Sequence, residues 1–324
     1  MPHATTTDTE YKHIQVKQLG ATFVAEVTGV DFSRPVEKEV FDEIYRAIVA
    51  YGVLIFRHAS LDDARHVAFS ALFGDLDDIK PYIALGRKNR FAFDELFDVS
   101  NLEDDGSLVK IGSKRHHMGL GNGIFHVDSS FNPRRAGFSL LRAHSLPPKG
   151  HGGNTDFADT RTAFEELPED LKNDLVQNEY IGAHSIMHSR RKAAPVDSTW
   201  LKDINPEDYP FGRHSVVQTH APSGRQNMYI ANHIHHLEYR TPRSKDFLIE
   251  KLLAHATQQK YVYSVEWENE GDLVLWDNTG VMHKAGQGTF MEKFARDMRR
   301  CTVHDGGKDA WGFNEKSSVR MGLP

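Results

Sequence analysis

The run Phe125-His126-Val127-Asp128-Ser129 sets an imidazole and a carboxylate two positions apart. On a strand, side chains alternate between faces, so His126 and Asp128 share one face and Val127 enters the opposite layer. That pair supplies two of the three ligands of the 2-His-1-carboxylate set, which holds Fe(II) and leaves positions open for substrate and O2. In a chain with 19 histidines, a lone His-x-Asp pair also arises by chance. It gains weight from a later histidine. The apolar run Leu273-Val274-Leu275-Trp276 leads through the polar turn Asp277-Asn278-Thr279-Gly280 to His283.

A second group of residues follows in Arg296-Asp297-Met298-Arg299-Arg300-Cys301-Thr302-Val303. Strand alternation puts Met298 and Arg300 on the face of Arg296, with Asp297 and Arg299 opposite. A planar guanidinium fork suits both oxygens of a carboxylate. Taken alone, the two arginines also read as surface salt-bridge residues. Cys301 faces away from them and reads as a buried structural thiol.

The elements that must carry these residues are mostly strands. Residues 14–30 combine Val, Phe and Thr with Gly20 and Gly29 and read as short strands. Val40, Ile44, Ile48 and Val49 recur at helical spacing over residues 37–50. Residues 53–56 form a compact buried strand, and residues 61–73 a second helix with Ser60 as N-cap. Residues 74–125 are irregular and rich in Asp, Gly, Lys and Arg, the composition of a functional loop region. Further strands are expected at 138–143, 216–220, 227–230, 261–267 and 272–276, and helices at 167–178, opened by Pro168, and at 245–258. The fold class is therefore a β-rich α+β one, a barrel or two-sheet sandwich with flanking helices. Residues 1–10 form a flexible tail, and residues 11–324 a single domain.

Composition narrows the function. Lys plus Arg is 39 against 45 Asp plus Glu, a formal charge of −6, which argues against nucleic-acid or anionic-membrane partners. The one cysteine excludes an internal disulfide framework and a Cys-based zinc site. No signal-peptide pattern or long apolar run is present, so a cytoplasmic protein is expected.

Taken in order, the motifs resemble the Fe(II)- and 2-oxoglutarate-dependent dioxygenase family that includes taurine dioxygenase and 2,4-dichlorophenoxyacetate dioxygenase. The resemblance rests on residues 19–31, residues 52–57, His126 to Phe131, and the glycine turn Gly152-Gly153-Asn154-Thr155-Asp156-Phe157. It continues through residues 214–230, Trp276 to His283, and Arg296 to Thr302. It implies a double-stranded β-helix (jelly-roll) core and a dioxygenase domain with its active-site loops near residues 74–125. It further implies His126, Asp128 and His283 as iron ligands, with Thr155 and Arg296 holding the distal carboxylate of 2-oxoglutarate. Arg300 then meets the acidic group of a small anionic substrate, which is oxidised by hydrogen abstraction in an O2-dependent reaction that releases succinate and CO2. Hydroxylation, ether cleavage, desaturation and cyclisation are all open outcomes, and a homo-oligomer is compatible with the family.

Segments 98–102 and 108–114 resemble the phenoxyacetate branch. Where some sulfonate-handling members carry a histidine, this chain has Phe73-Gly74-Asp75. Both features favour a carboxylate-bearing substrate, with Asn101, Lys110 and Lys80 as candidate substrate contacts. The alternatives are a sulfonate or sulfate-ester dioxygenase of the same family, or a non-catalytic module that binds metal and 2-oxoglutarate. Of the other histidines, His233, His235 and His236 read as pocket rim or surface, and His116 and His117 as exposed loop residues. Gly119-Leu120-Gly121-Asn122-Gly123 lacks the strand-to-helix setting of a dinucleotide loop.

Overall fold

The computed structural model describes residues 11–84, 88–239 and 246–317; the expected tail at 1–10 lies outside them. Strands β1 (Gln15–Gln18) and β2 (Ala25–Thr28) precede helix α1 (Lys38–Tyr51), strand β3 (Val53–Phe56) and helix α2 (Asp63–Ser70). Within the described residues, the long irregular segment holds α3 (Lys80–Ala84), β4 (Phe97–Asp98), α4 (Lys114–Gly119) and a 3-10 turn, Leu120–Gly123. Next come β5 (Ala136–Ser145), β6 (Thr155–Asp159), α5 (Thr160–Glu165), α6 (Glu169–Asn178), β7 (Ile181–His184) and α7 (Ile186–Ala193). The chain continues with β8 (Gly212–Ser215), β9 (Val217–Thr219), β10 (Gln226–Met228), β11 (Ile234–Glu238) and α8 (Asp246–Ala256). It closes with β12 (Val262–Val265), β13 (Leu273–Asp277), β14 (Val281–Ala285) and β15 (Asp297–His304).

Seven strands form one sheet in the order β1-β2-β3-β13-β5-β15-β4. A second sheet has the order β12-β6-β14, and two smaller ones are β11-β7-β8 and β10-β9. Period-two alternation sorts the apolar residues of the large sheet into two layers. Leu54, Phe56, Leu140, Leu273, Leu275 and Val303 pack with Ile44 and Ile48 of α1 and Phe69 of α2. Val53, Ile55, Leu141, Val274, Trp276 and Met298 pack with Phe157 of β6 and Val281 of β14. The far faces of β6 and β14, through Ala158 and Met282, meet α5, α6 and α8 in a third cluster. The result is a mixed α and β fold whose two main sheets face each other with the candidate site between them.

Helix α1 ends where Gly52 adopts φ 70 and its N–H bonds to the carbonyl of Ile48. A side chain there would be strained, and its Cβ would lie 2.7 Å from Arg161 Nη2. The second helix differs from expectation at both ends. Its N-cap is Asp62, whose carboxylate accepts the N–H of Arg65, while Ser60 sits at φ 52 and bonds to the carbonyl of His58. After Ser70 it tightens into a 3-10 turn, Ala71–Phe73. His126 is the other departure: it makes a single bridge to His283 rather than joining a strand, and the chain turns at Asp128, with Ser129 at φ 54.

Candidate metal centre

His283 lies on β14, whose pairing with β6 puts it opposite Phe157 and Ala285 opposite Thr155. The isolated bridge brings in His126: its N–H donates to the His283 carbonyl at 2.9 Å, and the His283 N–H returns the bond at 2.8 Å. Two residues far apart in sequence are thereby locked side by side, their rings 4.2 Å apart. The turn after Val127 swings Asp128 onto the same side. His126 Nε2 is 4.0 Å from Asp128 Oδ1, and His283 Nε2 is 3.7 Å from Asp128 Oδ2. Among the described residues, this is the only group of three such donors close enough to share an ion, and all three are buried.

The donor chemistry fits a divalent iron. His126 Nδ1 lies 2.8 Å from the carbonyl of Ile124, so that nitrogen carries the proton and Nε2 offers its lone pair to the centre. Burial holds both imidazoles below their usual pKa, which keeps them neutral and able to ligate. Burial alone would raise the Asp128 carboxyl. The Arg300 guanidinium, the two imidazoles and the Ser139 hydroxyl together outweigh it and bring Asp128 down to about 2. Two neutral imidazoles and one ionised carboxylate form the facial donor set.

A cavity opens beside the three donors, lined by Thr155, Arg296, Arg300 and Trp276, with Val99, Asn122, Leu141 and Ala285 completing its walls. Arg296 is 6% exposed. Its Nε and Nη2 both donate to the carbonyl of Gly153, at 3.1 and 3.0 Å. No carboxylate among the described residues neutralises it, and burial lowers its pKa to about 10. Gly153 takes φ 92, and a Cβ there would lie 3.1 Å from Arg296 Nε. Close backbone approach therefore explains that glycine better than the turn alone. Thr155 is buried, and its hydroxyl accepts the indole N–H of Trp267 at 3.1 Å. Arg300 lines the cavity, stacks on the ring of Phe97 and donates to Asp128 Oδ1.

The three further candidates fall elsewhere. Asn101 is buried, but it braces Arg296 instead of lining the cavity. Its Oδ1 accepts the Arg296 N–H at 2.7 Å and its Nδ2 donates to the carbonyl of Phe294 at 2.9 Å. Lys80 is exposed and lies 3.5 Å from Asp78. Lys110 is exposed too, and neither lysine lines the cavity.

Several histidines depart from expectation. His233 is not at the surface: it is buried against His126, rings 5.5 Å apart, and its Nδ1 bonds to the hydroxyl of Ser189 at 2.7 Å. His117 belongs to α4 and is buried against Ser198, because the loop segment folds onto α7. Cys301 is a free, fully buried thiol, as its strand position implied, and burial pushes it up to about 12.

The site also contains residues that the sequence did not single out. Ser139 donates to Asp128 Oδ2 at 2.7 Å, and Asn278 contacts both Ser139 and the Asp128 backbone. One signal was available for Ser139, the lone polar residue in the apolar run Phe138-Ser139-Leu140-Leu141. Asn122 had none beyond its proximity to His126.

Facing sheets with two histidines and a carboxylate beside an unneutralised arginine define a non-haem oxygenase type of site. The family model described as taurine catabolism dioxygenase TauD, TfdA family, matches residues 15–302, and the chain belongs to that family. It is 32% identical over 301 residues to the alpha-ketoglutarate-dependent 2,4-dichlorophenoxyacetate dioxygenase of Burkholderia sp. strain RASC, covering 90% of this chain and 94% of the relative. The alkylsulfatase of Acinetobacter baylyi is 25% identical, covering 85% of this chain and 80% of the relative. Among solved structures, AAD-2 in complex with Mn(II) and N-oxalylglycine is 32% identical with a TM-score of 0.82, covering 92% of this chain and all of that one. A taurine dioxygenase from Burkholderia xenovorans is 25% identical with a TM-score of 0.70, covering 96% of each chain. No helix among the described residues is long and apolar enough to cross a membrane.

Proposed function

We propose that this enzyme, an Fe(II)- and 2-oxoglutarate-dependent dioxygenase, oxidises a small substrate that carries a carboxylate. The observation that carries the reading is the placement of two guanidinium groups on one cavity beside the three donors, Arg296 and Arg300. Arg296, buried without a carboxylate partner, is the group that receives the distal carboxylate of 2-oxoglutarate, with the Thr155 hydroxyl beside it. Arg300, which donates to Asp128 Oδ1 in the ligand-free chain, is the second cation of the cavity and meets the anionic end of the prime substrate with its remaining N–H groups. His126, Asp128 and His283 hold the iron.

When bound, iron and 2-oxoglutarate supply the O2-dependent oxidation that releases succinate and CO2. The chain's own groups do the rest. Neutral imidazoles and an ionised Asp128 present lone pairs without first losing protons. Val99, Leu141, Trp276 and Ala285 give the cavity an apolar wall that excludes water from the reacting carbon. Arg300 orients that carbon by fixing the substrate's anion.

Relatives at 32% and 33% identity are named for 2,4-dichlorophenoxyacetate and those at 29% and 25% for (S)-phenoxypropionate, while an alkylsulfatase and a sulfate ester dioxygenase match at 25%, which supports a carboxylate over a sulfate. The two facing sheets fit a double-stranded β-helix, and the residues from 11 to 324 fit one dioxygenase domain. A succinate-release screen over phenoxyacids, amino acids, sulfonates and sulfate esters tests the reading. Turnover with carboxylates is expected; sulfite or sulfate release with carboxylates inert would replace it with the sulfur-oxygenase reading. Metal and 2-oxoglutarate binding without succinate from any acid would point to a non-catalytic module.

A further inference from the structure

Asp128 is held by a chain of hydrogen bonds whose direction is fixed. A carboxylate only accepts, so the Ser139 hydroxyl must give its proton to Asp128 Oδ2, at 2.7 Å. Ser139 Oγ then accepts from Asn278 Nδ2 at 2.9 Å. That fixes the Asn278 amide, whose Oδ1 accepts the Asp128 N–H at 3.1 Å and the Trp276 indole N–H at 3.0 Å. Ser139, Asn278 and Trp276 are each no more than 1% exposed, so no water competes for these bonds. The Trp276 ring in turn lies 4.7 Å from the ring of His283. One amide thus sets the main chain of one donor and, through Ser139, its Oδ2, together with the neighbour of another donor, while Asp128 Oδ1 takes the Arg300 guanidinium. It reaches them from β5 and the end of β13, not from the segment that carries Asp128.

We propose that Ser139 and Asn278 are positioning residues for the metal: a one-directional relay that fixes the rotation of the Asp128 carboxylate and so sets the affinity of the three-donor site for a divalent ion. The inference rests on the assignment of His126, Asp128 and His283 as ligands. Outer partners of this kind typically contribute 10–100-fold in metal affinity. The competing account is that the two residues merely tie β5 to β13, in which case their loss would change stability and leave ligation alone.

The test is Mn(II) titration of the metal-stripped full chain, read by calorimetry or chelator competition, with a thermal melt of each variant. Ser139→Ala and Asn278→Ala should each weaken Mn(II) binding at least tenfold. Thr302→Val is the control: Thr302 pairs with Ser139 across the sheet, is fully buried, and its hydroxyl has no hydrogen-bond partner among the described residues. It should bind Mn(II) like the wild type even where its melting temperature moves. Wild-type binding, within twofold, by Ser139→Ala overturns the proposal, as does an equal loss in Thr302→Val. Should Asn278→Ala fail to fold, Ser139→Ala decides alone. Wild-type protein that binds no Mn(II), or His126→Ala that binds it fully, would overturn the ligand assignment itself, a separate result.

Discussion

Replacing Arg296 with methionine should make the ligand-free protein no less stable while it cripples 2-oxoglutarate binding. The Arg296 guanidinium is buried without a carboxylate partner among the described residues, and burial lowers its pKa from the ordinary arginine value to about 10. A cation whose folded pKa is depressed destabilises the fold below that value and ceases to as pH rises through the ordinary one. The fall corresponds to about 3 kcal/mol at neutral pH, as an order of magnitude. Its two bonds to the Gly153 carbonyl recover part of that, roughly 1–2 kcal/mol. Methionine fills similar space and removes the charge, so the ligand-free melting temperature should hold or rise. A bidentate, charge-assisted pair with the distal carboxylate of 2-oxoglutarate contributes about 2–3 kcal/mol. Its loss should therefore raise the Kd for 2-oxoglutarate roughly 30- to 150-fold. The assay is calorimetric titration of 2-oxoglutarate into the Mn(II)-loaded protein, beside melts of both ligand-free proteins. A Kd within threefold of wild type would refute the assignment of Arg296. A large fall in the ligand-free melting temperature would refute the idea that its charge is held at a cost.

Three further outcomes follow from the same structure. Arg300→Gln should raise the KM for the prime substrate at least tenfold; because Arg300 also donates to Asp128 Oδ1, 2-oxoglutarate binding is compared at saturating Mn(II), where it should stay within threefold, and comparable losses for both ligands there would collapse the division of labour between the arginines. Lys80→Ala and Lys110→Ala should change the substrate KM by less than twofold, because both side chains are exposed and outside the cavity; a tenfold rise would reinstate them as substrate contacts. His66 and His214 are fully buried, and burial chiefly lowers each to about 3. They stay neutral in the folded chain while the unfolded chain takes up protons near pH 6.5, so stability is lost as pH falls from about 6.5 toward 3. At pH 5 the two together should cost about 4 kcal/mol, seen as a drop in urea midpoint between pH 7 and pH 5. A midpoint that does not move over that range would contradict the burial of these rings.

The chemistry-bearing residues were legible because their types and order carry the signal. His-x-Asp followed by a distant histidine and two arginines needs no coordinates to suggest a metal and an acid. Core strands such as β3 were legible too, because Val53 to Phe56 is an unbroken apolar run. Strand β7, Ile181–His184, was not, because it offers an isoleucine, a glycine and an alanine with no alternation to detect. Ser60 looked like a cap, yet Asp62 took the role because the chain passes Ser60 in a left-handed conformation that local propensity does not reveal. Lys110 and Asn101 were grouped because both lie in segments that resemble the phenoxyacetate branch; the structure separates them, leaving one exposed and burying the other against Arg296.

The sequence by itself determined the inventory: two imidazoles, one carboxylate, two arginines and a threonine, in an order that few functions share. It also offered a metal set that needs no thiolate, with the one cysteine on the strand face opposite Arg296 and Arg300. Only the tertiary structure decided which of the 19 histidines meet. It joined His126 to His283 by a single bridge, buried His233 behind them, and left Arg296 without a carboxylate partner among the described residues. It also brought Asn278 to Asp128 across 150 residues of chain. Such meetings follow from strand register and from how two sheets pack face to face, and these long-range terms are absent from any local stretch of sequence.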